Sequence, residues 1–344
     1  MISVVFIWLF LWALWLVWLA TARQQPPSST APLPAYAVVI PARNEAQHLG
    51  DTLKSILAQS PPPAAVFVMD DHSTDTTAAV VKSMRHPSLF LHSTLGHGKK
   101  AALREGYILA YPFPRVFFTD ADTHWLPGAA EQLLVTGAPS HVAMVCGEVA
   151  YRSAPHVAAA FARADMDGMM RTGRGLALRG FPFVCSGACL ALQPAMVGSQ
   201  LPDLGPGDSG DDVFLLHALT ATHGRNAIAW IPQTLVEVPA IPNLKTLWRT
   251  RLRWAGKTSR YVQNTAQRVS LWIWLMHFIG LVLVFFHPLW VLGGKLVLDL
   301  AFFRDKMRGR HALTSLVYFV YIPILPVISW FTTVTWKQRA VKKS

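Results

Sequence analysis

Hydrophobic and polar positions divide the chain into three regimes. Residues 2–22, ISVVFIWLFLWALWLVWLATA, carry no charge and are long enough to span a bilayer. A secretory leader would have a basic start and a shorter apolar core, so a retained anchor is expected. Residues 24–35 are rich in Pro and Ser without a core-forming pattern, and a linker is expected there. From about Tyr36 to Gln267, short apolar runs alternate with helical periodicity. The runs at 36–40, 65–69, 89–92, 116–119, 142–149 and 227–231 predict strands. Glu45–Ala58, Thr76–Arg85, Lys99–Ala110 and Gly128–Thr136 predict helices. Strands alternating with helices imply an α/β fold, a mostly parallel sheet with helices on both faces.

From Arg268 the chain turns apolar again. Ser270–Gly294 and Leu313–Trp336 can each span, with Pro323 and Pro326 expected to kink the second. Lys295–Phe303 is short and carries Lys295 and Asp299, which suits an interfacial helix or one arm of a hairpin. The organisation expected is therefore an anchor (1–23), a linker (24–35), a globular domain (36–267) and a membrane region with a basic tail (268–344). That last region would hold two or three hydrophobic helices. Its three basic flanks cannot all face one side if each block crosses once. A hairpin within 270–303 or a re-entrant final segment would relieve the conflict, and both stay open.

Composition agrees with membrane attachment. Hydrophobic residues make up 52% of the 344 and charged residues 15%, against about 25% charged in soluble domains. The net charge of +12, crowded near the apolar segments, favours an anionic membrane face or anionic substrates. No zinc-ligand spacing or base-reading basic helix accompanies it, so nucleic acid is not an expected partner. Arg23 after the first span is expected to leave the globular domain on the cytoplasmic side. Three cysteines without framework spacing predict reduced thiols.

Ligands of parallel sheets bind beyond the carboxyl ends of the strands, and polar clusters stand at those ends here. Pro41, Ala42, Arg43, Asn44 and Glu45 follow the first strand, and Asp70, Asp71, His72, Ser73, Thr74 and Asp75 the second. Asp70 and Asp71 suit a nucleoside's N–H or hydroxyl groups, and equally a loop turn. Asp75 or Thr74 is expected to cap the next helix. Gly96, Gly98, Lys99 and Lys100 open a helix, where a phosphate would be held or the lysines simply solvated. Asp120 and Asp122 flank Ala121 straight after the run Arg115–Thr119. Such a pair can be a polar turn, or it can hold a divalent cation completed by phosphate oxygens.

Further on, Gly187 in FVCSGACLALQP allows either close approach of a ligand or tight packing. Asp211 and Asp212 lie just ahead of a helix, as dipole-complementing residues or as a general base. In LKTLWRTRLRWAGKTSR, Arg249, Arg253 and Lys257 share one helical face. This is either a basic helix at a membrane surface or a site where Arg253 grips a diphosphate and Trp254 stacks on an acceptor.

Taken in order, VVIPARNE, VMDDHSTDTT, GKKAALREG, FTDADTHWLPG, CSGACLAL, SGDDVFLL and RLRWAGK resemble the motifs of family 2 glycosyltransferases, which have a GT-A fold. The resemblance covers about Ala37 to Lys257, and the flanking segments resemble membrane-anchored bacterial members. It implies that Pro41, Ala42, Asn44, Glu45, Asp70 and Asp71 hold the nucleotide, with Lys99 near it. Asp120 and Asp122 would match the metal-binding Asp-x-Asp and bind Mg2+ or Mn2+, Asp120 also facing the nucleotide sugar. Asp212 would match the catalytic base, with Asp211 where Glu is usual. Arg253 and Trp254 would match an Arg-Trp pair, with Gly187 and Trp254 toward the acceptor.

The chemistry so implied is one inverting displacement at the anomeric carbon. A UDP-sugar is the expected donor, a GDP-sugar the alternative. A lipid or lipid-linked hydroxyl is the expected acceptor, suggested by the basic Trp-containing segment beside a span, by the anchoring, and by a loop bearing Arg171, Arg174 and Arg179. The expected location is the inner (cytoplasmic) membrane, multi-pass. Two departures stand out. Thr250 occupies the glutamine position that processive polysaccharide synthases keep, which leaves single-sugar transfer ahead of processive synthesis, and His72 replaces a glycine. An inactive membrane scaffold of the same fold and a nucleotidyltransferase of similar sheet are the readings from other classes.

Overall fold

The computed structural model describes residues 2–22, 32–207, 210–258, 264–302 and 310–331, and the pairs 335–336 and 339–340. Arg23, most of the expected linker, Arg260 and the basic stretch at 303–309 lie outside the described residues, as does the side chain of Lys257. In chain order the elements are α1 (Ile2–Ala20), β1 (Tyr36–Ala42), α2 (Leu49–Leu57), β2 (Ala65–Asp70), α3 (Thr77–Ser83), β3 (Leu89–Ser93) and α4 (Lys99–Ala110). Next come β4 (Arg115–Phe118), β5 (His124–Trp125), α5 (Ala129–Thr136), β6 (Met144–Tyr151), α6 (Val157–Leu178), β7 (Leu190–Leu192) and α7 (Pro194–Val197). Then follow α8 (Asp211–His223), β8 (Ile228–Val238), α9 (Leu244–Thr258), α10 (Asn264–Phe286), α11 (Pro288–Phe302), α12 (Arg310–Phe331) and the short antiparallel pair β9 (Thr335–Trp336) and β10 (Arg339–Ala340). Contacts divide it into two compact units.

One unit comprises Gln24–Ala150 and Val184–Pro239. Its sheet has the order β3-β2-β1-β4-β7-β6-β8-β5. The β3-β2-β1-β4 half is parallel, with Ala37 opposite Ala65 and Val38 opposite Phe117. Every residue of β2, and all of β1 but Pro41, is buried, as expected of parallel strands covered on both faces. On one face Gly106 of α4 approaches so closely that a Cβ there would stand 2.4 Å from a Val39 methyl. On the other, Tyr36, Phe117 and Trp125 stack at 4.5 and 5.9 Å between ring centroids. At β4 the pairing changes, because β7 runs antiparallel to it. The sequence order also reverses between β1 and β4, a topological switch point.

The α/β class and the expected strands and helices are present, with ends shifted by a few residues. Two strands of this sheet were not anticipated. β5 has two residues and pairs with Val236 and Glu237, while β7 has three residues inside a run of small side chains. Neither is long enough to show a period of two.

The other unit comprises Met1–Arg23, Tyr151–Phe183 and Ala240–Ser344. It is helical. Val5, Trp8, Trp12 and Leu16 of α1 form an apolar cluster with Met276, Leu283, Val291 and Phe319. The helices α1 and α10 are long and apolar enough to cross a membrane, by length and composition. The short helix expected at 295–303, interfacial or one arm of a hairpin, is part of a longer one: α11 starts at Pro288 directly after α10, packs against α1, α10 and α12, and buries both Lys295 and Asp299. The two side chains satisfy each other, which explains their burial. Lys295 Nζ pairs with Asp299, whose other oxygen accepts from Trp12 Nε1 at 2.9 Å, and Ser315 Oγ also donates to Asp299.

The expected arginine loop is likewise not a loop. Arg171 and Arg174 lie within α6, and Arg179 caps its end. The glycines that suggest a loop serve packing instead, since a Cβ on Gly175 would stand 2.9 Å from the Leu19 side chain. Arg171 is buried and donates to Phe302 O at 2.9 Å, while Arg179 donates to Trp18 O and to Thr21.

Lys295→Met should destabilise the protein by about 3–5 kcal/mol by stranding a buried carboxylate. Adding Asp299→Asn, which keeps an acceptor for Trp12 and Ser315, should recover most of the loss. Denaturation midpoints of the two variants in detergent check both expectations.

Candidate active site

The loops that follow β1 and β2 are stitched together by their own polar groups. Asn44, with its backbone in the left-handed region (φ 52°), accepts Thr74 N–H at 2.8 Å and donates its own N–H to Ser73 Oγ at 3.0 Å. Glu45 N–H donates to Thr77 Oγ1 at 2.8 Å. Asp75 accepts the Thr77 hydroxyl and the N–H groups of Thr77 and Ala46, which outweigh desolvation and lower its pKa; the N-cap position of α3 is Thr76, and Asp75 just before it accepts the first N–H of the helix. Asp70 is buried and accepts Ser73 N–H at 3.1 Å. Asp71 is buried too: its N–H donates to Ala42 O at 2.8 Å, and its Oδ1 accepts Gly98 N–H at 2.9 Å. The residues expected to hold a nucleotide thus lie at two adjacent strand ends, Pro41, Ala42 and Asp70 as the last residues of β1 and β2 and Asn44, Glu45 and Asp71 in the connected loops that follow.

The Asp120-Ala-Asp122 turn rests on a buried hydroxyl network. Thr52 Oγ1 donates to the carbonyls of Ala121 and Thr123, at 2.9 and 2.7 Å. Thr119 Oγ1 donates to Ala188 O at 2.7 Å, receives Trp125 Nε1–H at 3.1 Å and lies 3.0 Å from Thr123 Oγ1. These threonines escape sequence reading because Thr52 lies within α2 while Thr119 and Thr123 flank the turn after β4, and only the fold brings their hydroxyls together.

Lys99, the first residue of α4, joins the turn to α8. Its Nζ is 2.7 Å from Asp120 Oδ1 and 3.3 Å from Asp211 Oδ2. Burial opposes the charge on this lysine, but Asp120, Asp211 and Asp212 outweigh it and hold the pKa above the ordinary lysine value. Asp212 Oδ2 accepts Gly187 N–H at 3.0 Å, and its Oδ1 accepts Val213 N–H at 2.9 Å. Gly187 has little room for a side chain, since a Cβ would stand 3.3 Å from Lys99 Nζ. Leu103, Phe118, Leu190, Leu204 and Leu215 line a small apolar cavity behind Asp211 and Asp212. Cys185 Sγ donates to Asp212 O at 3.4 Å; it, Cys146 and Cys189 are free buried thiols, and burial pushes Cys185 and Cys189 up in pKa.

Lys100 serves the structure. It donates to Gly205 O at 2.7 Å and lies over the Phe214 ring. Arg253 and Trp254 belong to the helical unit, on α9, where Trp254 receives the Arg251 guanidinium 4.0 Å from its ring centroid. Arg251 itself is buried and paired with Asp165, a pair without a sequence signal because 86 positions (251 − 165) separate its members.

The donor set suits a hard divalent cation. Asp120 and Asp122 are both half-buried, offer only carboxylate oxygens, and Asp120 already faces one positive charge, the Lys99 ammonium. Mg2+ and Mn2+ prefer such oxygen ligands.

A doubly wound parallel half-sheet, with polar loops and a carboxylate pair at its switch point, defines an α/β protein of GT-A type. Residues 34–257 match the family described as "Glycosyltransferase like family 2", and the chain belongs to that family. Over 104 residues it is 38% identical to the 4,4'-diaponeurosporenoate glycosyltransferase of Staphylococcus aureus (strain USA300), covering 29% of this chain and 27% of that protein. The chain thus matches only 27% of the length of this curated relative. The fold is similar to that of the mannosyltransferase PcManGT from Pyrobaculum calidifontis in complex with GDP-Man and Mn2+. That similarity has a TM-score of 0.60 at 17% identity and covers 96% of this chain and 95% of that one.

Thr119→Val should strand Trp125 Nε1–H and Ala188 C=O in the core and destabilise the protein by about 1–3 kcal/mol. A shift of the denaturation midpoint, with unchanged helical circular dichroism, checks it.

Proposed function

We propose that this protein transfers one sugar from a nucleotide-sugar donor to a membrane-associated hydroxyl acceptor, with inversion at the anomeric carbon. The observation that carries the reading is the arrangement of Lys99 between Asp120 and Asp211, with Asp212 held beside it by Gly187 N–H. Family membership and the GT-A-type fold support the reaction class.

The loops of Pro41–Glu45 and Asp70–Asp71 bind the nucleoside in this reading. A divalent cation held by Asp120 and Asp122 supplies charge neutralisation for the diphosphate. That the similar mannosyltransferase was solved with GDP-Man and Mn2+ supports both a nucleotide sugar and such an ion. The Lys99 ammonium lies next to Asp120, where it can exchange a carboxylate partner for a phosphate oxygen. Asp212 accepts the proton of the acceptor hydroxyl as that oxygen bonds to the anomeric carbon. The bond from the anomeric carbon to the phosphate oxygen breaks, and its electron pair leaves with the nucleoside diphosphate. A single displacement inverts the centre.

The acceptor proposed is a lipid or lipid-linked hydroxyl, and the location the cytoplasmic membrane with the catalytic domain on its inner side. Two helices of membrane-crossing length support this, as does a relative named for transfer to 4,4'-diaponeurosporenoate. A UDP-sugar is the first donor to test and a GDP-sugar the second.

Asp212→Asn should lower turnover by about a hundredfold to ten-thousandfold in a folded protein. Turnover near normal would remove the base assignment. Membranes incubated with labelled nucleotide sugars and Mn2+ or Mg2+ should place label in the lipid extract, and Asp122→Asn should abolish it. Label found only in soluble polymer or protein would overturn the lipid acceptor.

A further inference from the structure

His72 stands where the motif it resembles has glycine, and the nucleotide-sugar reading leaves it unused. It occupies a left-handed backbone position, φ 54°, that disfavours a side chain. Its ring lies against that of His97, with centroids 4.3 Å apart and planes tilted by 37°. The Asp71 carboxylate completes the group: one ligand atom from each of Asp71, His72 and His97 lies within 4.8 Å of the others. Asp71 is buried and both histidines are exposed, so the cluster has a fixed floor and an open mouth.

The turn that presents His97 is rigidly held. Leu95 and Gly96 N–H groups donate to the Glu105 carboxylate at 2.8 and 2.9 Å. Thr94 Oγ1 donates to Gly96 O at 2.9 Å, and Gly98 N–H donates to Asp71 Oδ1 at 2.9 Å. His72 Nε2 lies 3.3 Å from Gly96 O. A proton on that nitrogen, given to the carbonyl, leaves Nδ1 with its lone pair. This is how metal-ligating histidines are commonly oriented. Arg43 donates to the Asp71 carbonyl at 2.8 Å and stays 3.7 Å from its carboxylate.

We propose that Asp71, His72 and His97 form a second cation site, which takes a borderline divalent transition ion such as Zn2+. Two imidazole nitrogens and one carboxylate oxygen are the donor types that such ions prefer, with open positions left for water. The site differs in kind from Asp120 and Asp122, which offer oxygen only and suit Mg2+ or Mn2+. It does not depend on the transferase reading.

The test uses the full chain in detergent with excess Mg2+, titrated with Co2+ and read by visible absorption. Imidazole-ligated Co2+ should give a saturable band that Zn2+ abolishes. His72→Gly, which suits the left-handed backbone, and His97→Ala should each weaken Co2+ binding by about tenfold or more. Circular dichroism confirms that both are folded. Asp122→Asn should leave the band unchanged. Absence of the band, an unchanged midpoint in either histidine variant, or loss of the band in Asp122→Asn overturns the site.

Discussion

The charge of Lys99 is the constraint on which the candidate site depends. Its ammonium is 2.7 Å from Asp120 and 3.3 Å from Asp211, with Asp212 adjacent. Three carboxylates that close would repel one another without a cation among them. The lysine therefore holds three pieces of chain in register: the start of α4, the turn after β4 and the first turn of α8. Gly187 belongs to the same constraint, because a Cβ there would press on the ammonium at 3.3 Å.

The parts of the site that stand at strand ends were legible in the sequence, and the parts made by tertiary approach were not. β1, β2 and β4 announce themselves as apolar runs, so Asp70, Asp71, Asp120 and Asp122 could be placed at carboxyl ends before the fold was known. The pairing of Lys99 with Asp120 could not, because 21 residues (120 − 99) and a complete α4–β4 hand-over lie between them. The hydroxyl network of Thr52, Thr119 and Thr123 was silent for the same reason. In α6, Gly173 and Gly175 beside three arginines imitate a loop, yet the second glycine is where Leu19 of α1 packs. Glycine reports close approach as readily as it reports a turn, and only the neighbour tells which.

The helical unit poses a different problem, because helices lined by Leu, Val and Trp pack against one another in many registers. Apolar contact alone discriminates poorly among them where the surroundings are apolar too. Its buried charges supply the discrimination. Lys295, Asp299, Trp12 and Ser315 join α11, α1 and α12 in one hydrogen-bonded group. Asp165, Arg251 and Tyr318 join α6, α9 and α12 in another. Sliding any of these helices by one turn would leave a charge without its partner in a buried setting, and that penalty exceeds what a shifted apolar contact could return. The same reasoning accounts for Arg251 lying inward on α9 while Arg253, two positions on, is only half-buried. Along a helix a two-residue step turns the side chain to another face. One arginine of the Arg-Leu-Arg-Trp run, Arg251, is thereby committed to holding the helix in place through Asp165.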